Sequence, residues 1–351
     1  MTPPEVAPVL GALHTGAERF FGSPHTVLEP VAVFERPYST IVRLRVRTPG
    51  RPPYFAYTKI YKVRPCPPYE TPRDPAQMVE EEFAATRRLY EALTGRDGLT
   101  SPRPIASLPE YSAIVTEELD GLPLDRVLRA GPRQAGPTFE SIGARIGTWV
   151  RAYQDGAPHD GLWSADVNRT YLDDRLRHIT PVLGEAVRDE ALRLFDAFAG
   201  RVPAGEPLVP IHADLCPSNV LVTASGGVAV LDFATAQTGT RYHDVAHLYM
   251  HLEFLGARYR LSLGPMQDAL IAAFDQAAAV REPLFRVMFL QHVICHVTQL
   301  VDRAGWRPRM VVQAQARWRW RSCLALPPLA LSPRLSRSRA ARNAACSSSS
   351  R

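Results

Sequence analysis

Two short apolar segments with polar residues at their ends constrain this chain more than any other feature. Val220 to Val222 and Val228 to Leu231 are rich in β-branched residues and are separated by a Ser-Gly-Gly turn sequence. This pattern predicts a buried β-hairpin. Asn219 precedes the first strand and Asp232 follows the second. Pairing of the two strands would therefore bring these side chains together at one end of the hairpin.

The polar residues around this hairpin are of the types that phosphoryl transfer requires. That reaction uses a carboxylate to orient the attacking hydroxyl and accept its proton, and oxygen ligands for Mg²⁺ on the nucleotide phosphates. The order His212-x-Asp214-x4-Asn219, followed by Asp232, matches a kinase catalytic loop and its metal-binding aspartate. We therefore predict Asp214 as the general base and Asn219 and Asp232 as Mg²⁺ ligands. The alternative is a plain polar hairpin in which these residues only form turns.

The local sequence resembles one family of small-molecule kinases. Residues 212–219 read His-Ala-Asp-Leu-Cys-Pro-Ser-Asn and the second strand ends in Leu-Asp-Phe. These are similar to the His-Gly-Asp-Leu-x-x-x-Asn and Ile-Asp-(Phe/Trp) motifs of the aminoglycoside phosphotransferase and choline kinase family. The resemblance implies an α+β, two-lobed protein-kinase-like fold, with a small β-rich N-terminal lobe and a larger, mostly helical C-terminal lobe. It also implies ATP and Mg²⁺ as cofactors and, as acceptor, a hydroxyl of an aminoglycoside-, amino-alcohol- or sugar-like molecule.

Lysine usage points to the nucleotide phosphates. The chain contains 39 arginines but only two lysines, Lys59 and Lys62, both in a predicted strand from Tyr54 to Val63. Because they are three positions apart, they face opposite sides of the strand. We predict that Lys59 binds the phosphates as a compact cation and that Lys62 lies at a solvated edge. The resemblance implies that Glu82, on a predicted helix from Ala76 to Leu93, pairs with Lys59.

The resemblance also implies how the nucleotide is covered and how its base is read. The turn from Glu35 to Thr40 lies where the family places its nucleotide-covering loop, but it contains no glycine. Ser39 in this turn offers an N–H and a hydroxyl to a phosphate, although an ordinary hairpin turn fits the sequence equally well. Glu117 and Leu119 would line the linker between the lobes, whose backbone reads the adenine edge.

Two further residues are assigned to structural support. His212 belongs to the catalytic loop, and Asp244 resembles the carboxylate that braces that loop in the family. Asp244-Val-Ala matches the second half of the family's Gly-Asp-Pro-x-x-Asp-Leu-Ala, whereas Thr240-Arg241 replaces its Asp-Pro.

A catalytically silent, kinase-like nucleotide-binding or regulatory protein is the alternative function. The glycine-free turn favours that alternative, and the presence of every base and metal position opposes it.

Charge is distributed unevenly along the chain. From Arg303 to the end there are eleven arginines and no acidic residue, which leaves 30 basic and 35 acidic residues in the rest. The net charge of +6 therefore belongs to the tail, and nucleic-acid binding by the body is not expected. We predict a nucleotide-binding lobe over residues 1–118, a catalytic and acceptor-binding lobe over 119–305, and an Arg/Ser/Pro-rich tail over 306–351 that is largely disordered.

The sequence also bears on the compartment. The five cysteines are odd in number and lack CxxC spacing, which is typical of reduced, cytoplasmic thiols. The N-terminus has no basic region of the kind that opens a signal peptide, and no apolar run is judged long enough to span a bilayer. We therefore expect a cytoplasmic protein without a membrane segment.

Two clusters leave alternatives open. Residues 155–174 are predicted to form an acidic loop that favours a cationic acceptor, unless its aspartates are caps and turns that face solvent. These aspartates are Asp155, Asp160, Asp166, Asp173 and Asp174. Histidines recur at i, i+4 spacing, which suits either zinc binding or packing along one helix face. They are His243, His247, His251, His292 and His296, and the lack of an acidic or cysteine partner favours packing.

Overall fold

The chain folds into a β-rich N-terminal lobe and a larger, mainly helical C-terminal lobe. The computed structural model describes residues 3–63, 72–131, 136–155, 161–275 and 279–303. The two-lobed, kinase-like architecture implied by the catalytic-loop motif is therefore confirmed. The tail predicted over 306–351 lies outside the described residues, as does Asp160.

The N-terminal lobe is a five-stranded antiparallel sheet with helices on both faces. The strand order is β1-β2-β3-β6-β5. The elements are α1 (Val6–Thr15), α2 (Ala17–Phe21), β1 (Val27–Glu35), β2 (Ser39–Arg47), β3 (Tyr54–Tyr61), α3 (Pro75–Leu93), β4 (Leu99–Thr100), β5 (Pro104–Leu108) and β6 (Ala113–Glu117). The two-residue β4 adds instead to a sheet of the C-terminal lobe. It pairs in parallel with Val228–Val230, the second strand of the predicted hairpin, which is called the catalytic hairpin below.

Alternation along the strands decides which residues enter the cleft between the lobes. Val42, Leu44 and Val46 of β2 are fully buried and pack with α1 in one core. The intervening residues of β2, such as Arg43, project from the other face. Lys59 lies on that same face, because β2 and β3 pair with Ile41 opposite Lys59 and Arg43 opposite Tyr57. Helix α3 begins after Asp74, whose side chain accepts a hydrogen bond from the Ala76 N–H.

The C-terminal lobe is built on helices around the catalytic hairpin. Its elements are β7 (Leu122–Pro123), α4 (Leu124–Ala130), α5 (Phe139–Asp155), α6 (Ala165–Leu183), α7 (Glu185–Ala199), β8 (Leu208–Ile211), β9 (Val220–Val222), β10 (Val228–Val230), β11 (Gln237–Thr240), α8 (His243–Tyr259), α9 (Gly264–Asp275) and α10 (Pro283–Arg303). Strands β9 and β10 pair antiparallel, with Val220 opposite Val230. The predicted hairpin is present, and all six of its strand residues are buried.

Helices α5 and α9 approach each other at two glycines of α5. A Cβ atom added at Gly143 would lie 2.2 Å from the Met266 carbonyl oxygen, and one at Gly147 would lie 2.3 Å from that of Leu270. Both distances are far below van der Waals contact, so no side chain fits there without moving the helices apart. From the same helix, Trp149 and Tyr153 enter the C-lobe core.

The acidic loop predicted over 155–174 is wrong from residue 165 onward. The segment is helical there: Ser164 caps α6, and Leu172, Leu176 and Ile179 form its buried stripe. Asp166, Asp173 and Asp174 therefore lie on a helix, and Asp155 is the last residue of α5.

Helix α10 closes the lobe. Among the described residues, Pro283–Asp302 is the one helical stretch long and apolar enough to cross a membrane, although Arg286, Gln291 and His292 interrupt its apolar run. In this fold 72% of that stretch is buried inside the protein. Its residues, including Phe285 and Val293, belong to the C-lobe core.

Candidate active site

The catalytic loop is fixed at its start by Asp244. The buried Asp244 carboxylate accepts hydrogen bonds from the His212 N–H at 2.7 Å and from the Ala213 N–H at 2.9 Å. Ala213 adopts a left-handed conformation with φ of 63°. A second bond, from the Thr235 hydroxyl to the His212 carbonyl at 3.0 Å, holds the same turn. Asp244 thus occupies the position proposed for a brace of this loop.

The His212 ring joins the catalytic loop to the residue that follows strand β10. Its Nε2 lies 2.9 Å from the Leu231 carbonyl oxygen, and the Asp214 N–H lies 3.3 Å from its Nδ1. These partners assign the proton to Nε2. Burial lowers the pKa of His212, consistent with a neutral ring. The ring packs edge-on against Phe233, with centroids 4.8 Å apart, so the residue after Asp232 is anchored as well.

Asp214 and Asn219 face each other across the catalytic loop. The Asn219 amide donates to the Asp214 carbonyl and to its carboxylate Oδ2, each at 3.0 Å. Burial raises the pKa of Asp214 to about 6, and the nearby Asp232 carboxylate adds to this. A raised pKa suits a group that accepts a proton near neutral pH.

Lys59 connects the two lobes through carboxylates on both sides. Its ammonium donates to Asp232 Oδ1 at 2.6 Å and to the two oxygens of Glu82 at 3.3 and 3.4 Å. Burial opposes the charge of Lys59, but the Glu82 and Asp232 carboxylates outweigh it and raise the pKa of the ammonium. Glu82 is buried and also accepts a hydrogen bond from the Tyr61 hydroxyl. The predicted Lys59–Glu82 pair is present in the structure.

The side chains of Asn219 and Asp232, at the end of the hairpin, offer oxygen ligands of the kind that Mg²⁺ prefers. The Leu231 N–H donates to the Asn219 carbonyl at 2.8 Å, which keeps Asn219 beside Asp232. Because the amide nitrogen of Asn219 is turned to Asp214, its side-chain oxygen points away from that partner. The described residues contain no group of three or more His, Cys, Asp or Glu side chains arranged to hold an ion. Two protein oxygens supplemented by phosphates and water are the usual ligand set of Mg²⁺.

The β1–β2 turn is held by the second lysine. Lys62 forms an ion pair with Glu35 and lies 3.9 Å from Glu5, so it differs from a solvated edge lysine. Its backbone N–H also donates to the Tyr38 carbonyl at 3.0 Å. Ser39 is the first residue of β2, is buried, and lies opposite Tyr61 on the face that carries Lys59. The turn is therefore fixed to the end of β3.

The linker between the lobes carries ion pairs that the sequence analysis did not foresee. Glu117 pairs with Arg103 through its carboxylate at 2.6 Å, and its backbone N–H donates to the Arg103 carbonyl at 2.9 Å. Leu119 is partly exposed. Glu118 accepts a bidentate pair from Arg43, at 2.6 Å to Nε and 3.1 Å to Nη2. Arg43 lies on the cleft face because the register of β2 and β3 places it opposite Tyr57, and spacing within one strand does not give that register.

The five recurring histidines lie together between α8 and α10 as packed rings. His247 stacks on His292 with centroids 4.4 Å apart, and His243 lies edge-on to His292 at the same distance. The His247 and His251 Nε2 atoms are 3.2 Å apart, a hydrogen-bonded pair. Burial lowers the pKa of His247 and of His292 well below the ordinary value. His247 and His292 are thus neutral imidazoles in a core.

The fold of the chain is similar to that of small-molecule kinases of known structure. Aminoglycoside phosphotransferase APH(4)-Ia is 14% identical, with 91% of this chain and 99% of that chain covered and a TM-score of 0.56. A thermostable mutant of that enzyme, in a ternary complex with ADP and hygromycin B, is 16% identical over 90% and 98% of the two chains, with a TM-score of 0.54. A choline/ethanolamine kinase family protein from Mesorhizobium loti is 16% identical over 90% and 94%, also with a TM-score of 0.54.

At these identities the likeness to solved structures concerns the fold. A comparison with curated protein sequences gives no match. The model of the phosphotransferase enzyme family APH matches residues 43–283, which include Lys59, Glu82 and the whole catalytic hairpin. The chain therefore belongs to the APH phosphotransferase family.

Proposed function

We propose that the protein transfers the γ-phosphate of ATP to a hydroxyl group of a small molecule. The observation that carries this proposal is the convergence of two pairs at one cleft. Asp214 is hydrogen-bonded to Asn219 on the catalytic loop, and Lys59 bridges Glu82 and Asp232 beside it. Base, metal-ligand and phosphate-binding groups thus occur in the arrangement that phosphoryl transfer needs.

In this proposal each residue has one task. Asp214 accepts the proton of the acceptor hydroxyl, and its raised pKa makes that transfer favourable near neutral pH. Lys59, oriented by Glu82, binds the nucleotide phosphates. Asn219 and Asp232 hold Mg²⁺, which when bound would offset charge on the phosphates. Ser39 and the β1–β2 turn cover the phosphates, and the backbone at Glu117 and Leu119 lines the base.

The acceptor is proposed as a small hydroxylated molecule. The structural neighbour APH(4)-Ia binds hygromycin B, and another neighbour belongs to the choline and ethanolamine kinases. Both kinds of acceptor offer a hydroxyl on a molecule that also carries amino or ammonium groups. The carboxylate of Asp173 is paired with Arg188 at 2.9 Å and with Arg177 at 2.6 Å, so it does not support selection of a cationic acceptor. A cytoplasmic location is part of the same proposal.

The test is acceptor-dependent release of ADP from Mg²⁺-ATP, screened over aminoglycosides, amino alcohols, sugars and amino acids. With an acceptor in hand, Asp214→Asn is expected to lower turnover by a factor on the order of 10²–10⁴, because the base is removed. Its affinity for Mg²⁺-ATP and its unfolding temperature should stay close to those of the unaltered protein. Turnover near the original rate in Asp214→Asn would remove Asp214 from the mechanism. ATP binding without turnover on any acceptor would favour the silent binding protein.

A further inference from the structure

Glu82 has a hydrogen-bond donor besides Lys59, and that donor belongs to the same strand as the lysine. The Glu82 side chain is only 6% exposed, and its carboxylate accepts a hydrogen bond from the Tyr61 hydroxyl. The Lys59 ammonium lies 3.3 and 3.4 Å from the two Glu82 oxygens but 2.6 Å from Asp232. Bonds between an ammonium and a carboxylate are typically about 2.7–2.9 Å long, so Asp232 is the close partner of Lys59. Glu82 therefore relies on the Tyr61 hydroxyl as well as on Lys59.

An ionised carboxylate buried as deeply as that of Glu82 needs this second donor. Removing a carboxylate from water is costly unless partners replace its hydration. Burial raises the pKa of Glu82, and the Lys59 charge and the Tyr61 hydrogen bond oppose that rise. When Lys59 binds nucleotide phosphates, it shares its charge with one more group. The Tyr61 hydroxyl is then the donor that stays with Glu82 and keeps the carboxylate in place.

The ring of Tyr61 is fixed by three neighbouring parts of the chain. Tyr61 is 8% exposed and packs with Val79 of α3, Ile114 of β6 and Ala234 of the segment that follows β10. The Lys59 Nζ lies 4.7 Å from the centroid of the Tyr61 ring. A cation at this distance is attracted to the face of a phenol ring. Tyr61 thus flanks the ammonium with its ring and, with its hydroxyl, binds the carboxylate that orients the ammonium.

We propose that Tyr61 is a positioning residue for nucleotide binding, because its hydroxyl holds the carboxylate that directs Lys59 to the phosphates. The inference rests on the proposed nucleotide-dependent function and adds a residue to it. Alternation along β3 places Tyr61 on the face of Lys59, and its bond to Glu82 forms where α3 packs on that face. Since the hydroxyl acts through Glu82 and Lys59, its loss should affect binding of the phosphates. Binding of the nucleoside and proton transfer at Asp214 should be unaffected.

The experiment compares the affinity of the protein for Mg²⁺-ATP with its affinity for adenosine, which has no phosphates, by titration calorimetry. Tyr61→Phe removes the hydroxyl and keeps the ring. It should weaken Mg²⁺-ATP binding by about tenfold and leave adenosine binding unchanged, because a hydrogen bond to a buried charged group is lost. Tyr90→Phe is the matched control, since Tyr90 is a partly exposed tyrosine on α3, the helix that carries Glu82. This control should bind both ligands as the unaltered protein does.

A double variant tests whether the hydroxyl acts through Glu82. Glu82→Gln should itself weaken Mg²⁺-ATP binding. Adding Tyr61→Phe to it should weaken binding no further, because the effects of residues that act in one network do not add. In the assay of phosphate transfer, Tyr61→Phe should raise the KM for ATP and keep kcat close to that of the unaltered protein, since Asp214 is untouched.

The outcomes separate this inference from the function on which it rests. If Tyr61→Phe binds Mg²⁺-ATP as tightly as the unaltered protein, or loses affinity for adenosine equally, the positioning role is refuted while phosphotransfer stands. A loss in the double variant beyond that of Glu82→Gln would also refute it, because the hydroxyl would then act through another group. If the unaltered protein does not bind Mg²⁺-ATP, the proposed function falls and this inference with it.

Discussion

Ala213 lies in the catalytic loop in a backbone conformation that alanine rarely adopts. Its φ of 63° belongs to the left-handed region, where a Cβ atom costs roughly 1–2 kcal/mol per residue. The bond from its N–H to Asp244 at 2.9 Å holds it there. The family motif that the sequence resembles has glycine at this position, which pays no such steric penalty. The backbone strain at Ala213 therefore arises from having alanine where the family motif has glycine, and the hydrogen bond to the buried Asp244 carboxylate offsets it.

Replacing this alanine should stabilise the protein. We expect Ala213→Gly to raise the free energy of unfolding by about 0.5–1 kcal/mol, because relief of strain exceeds the added freedom of glycine in the unfolded chain. Ala152→Gly, at a buried position in the last turn of α5, is the control and should lower it by about 1 kcal/mol. Urea unfolding of both variants measures the change. A decrease in stability for Ala213→Gly would show that the loop does not hold this residue under strain.

Contacts that follow from local spacing could be predicted, and those that depend on sheet register could not. Asp214, Asn219 and Asp232 are separated by fixed distances along one hairpin, so their proximity follows from pairing two strands. The Arg43–Glu118 pair joins residues 75 positions apart and depends on how β2, β3 and the linker align. The Tyr61–Glu82 bond likewise requires α3 to be docked on the sheet.

At the scale of the element, strand β3 separates two lysines with different tasks. Lys59 faces Glu82 and Asp232, whereas Lys62 is paired with Glu35 at the β1–β2 turn. We expect Lys59→Ala to weaken Mg²⁺-ATP binding by tenfold or more, because the phosphates lose their cation. Lys62→Ala should weaken it by less than threefold, since only the hold on the turn is lost. Equilibrium titration with Mg²⁺-ATP gives both values, and the reverse ranking would overturn the assignment of the two faces.

Helix α6 shows where reading by composition failed. Its first half contains several aspartates, and this acidic composition by itself favours a loop. The apolar positions at Leu172, Leu176 and Ile179 nevertheless follow helical spacing, and Ser164 is a regular N-cap. Asp173 links α6 to α7, since its carboxylate accepts a hydrogen bond from Arg188. The helical spacing of the apolar residues was the stronger signal in this segment. Burial of an apolar face decides whether a helix forms in a protein, and net charge does not.

At the scale of the whole molecule, the histidines between α8 and α10 couple stability to pH. In the folded protein His247 and His292 have pKa values well below the ordinary one and stay neutral. In the unfolded chain each binds a proton below about pH 6.5. The unfolded state thus gains protons as pH falls. The contribution of these histidines to the free energy of unfolding is therefore complete above about pH 6.5 and is lost progressively below it. His243 and His251 also face this pair, and the Asp244 carboxylate lies 3.4 Å from His243 Nδ1 at one end of the stack.

Each buried histidine should lower the free energy of unfolding by about 1 kcal/mol between pH 6.5 and 5.5, and the slope approaches about 1.4 kcal/mol per pH unit at lower pH. His247→Leu should remove the contribution of one histidine and leave those of His292 and His212, whereas His25→Leu, at an exposed position, should leave the slope unchanged. Urea unfolding measured at half-unit intervals from pH 5.5 to 8 determines both. A free energy of unfolding that does not vary over this range would show that the stack accommodates protons without penalty.

The close approach of α5 and α9 affects how the results of a mutational screen of this protein should be interpreted. Gly143 and Gly147 leave no room for a Cβ atom, and the helix that carries them also supplies Trp149 and Tyr153 behind Phe233. In a library of random substitutions these two positions would rank among the least tolerant, beside residues that touch the cleft. A selection scored by activity alone would assign them to catalysis. Scoring the same library for abundance would separate them, because their variants would be lost from the folded pool before any reaction is reached.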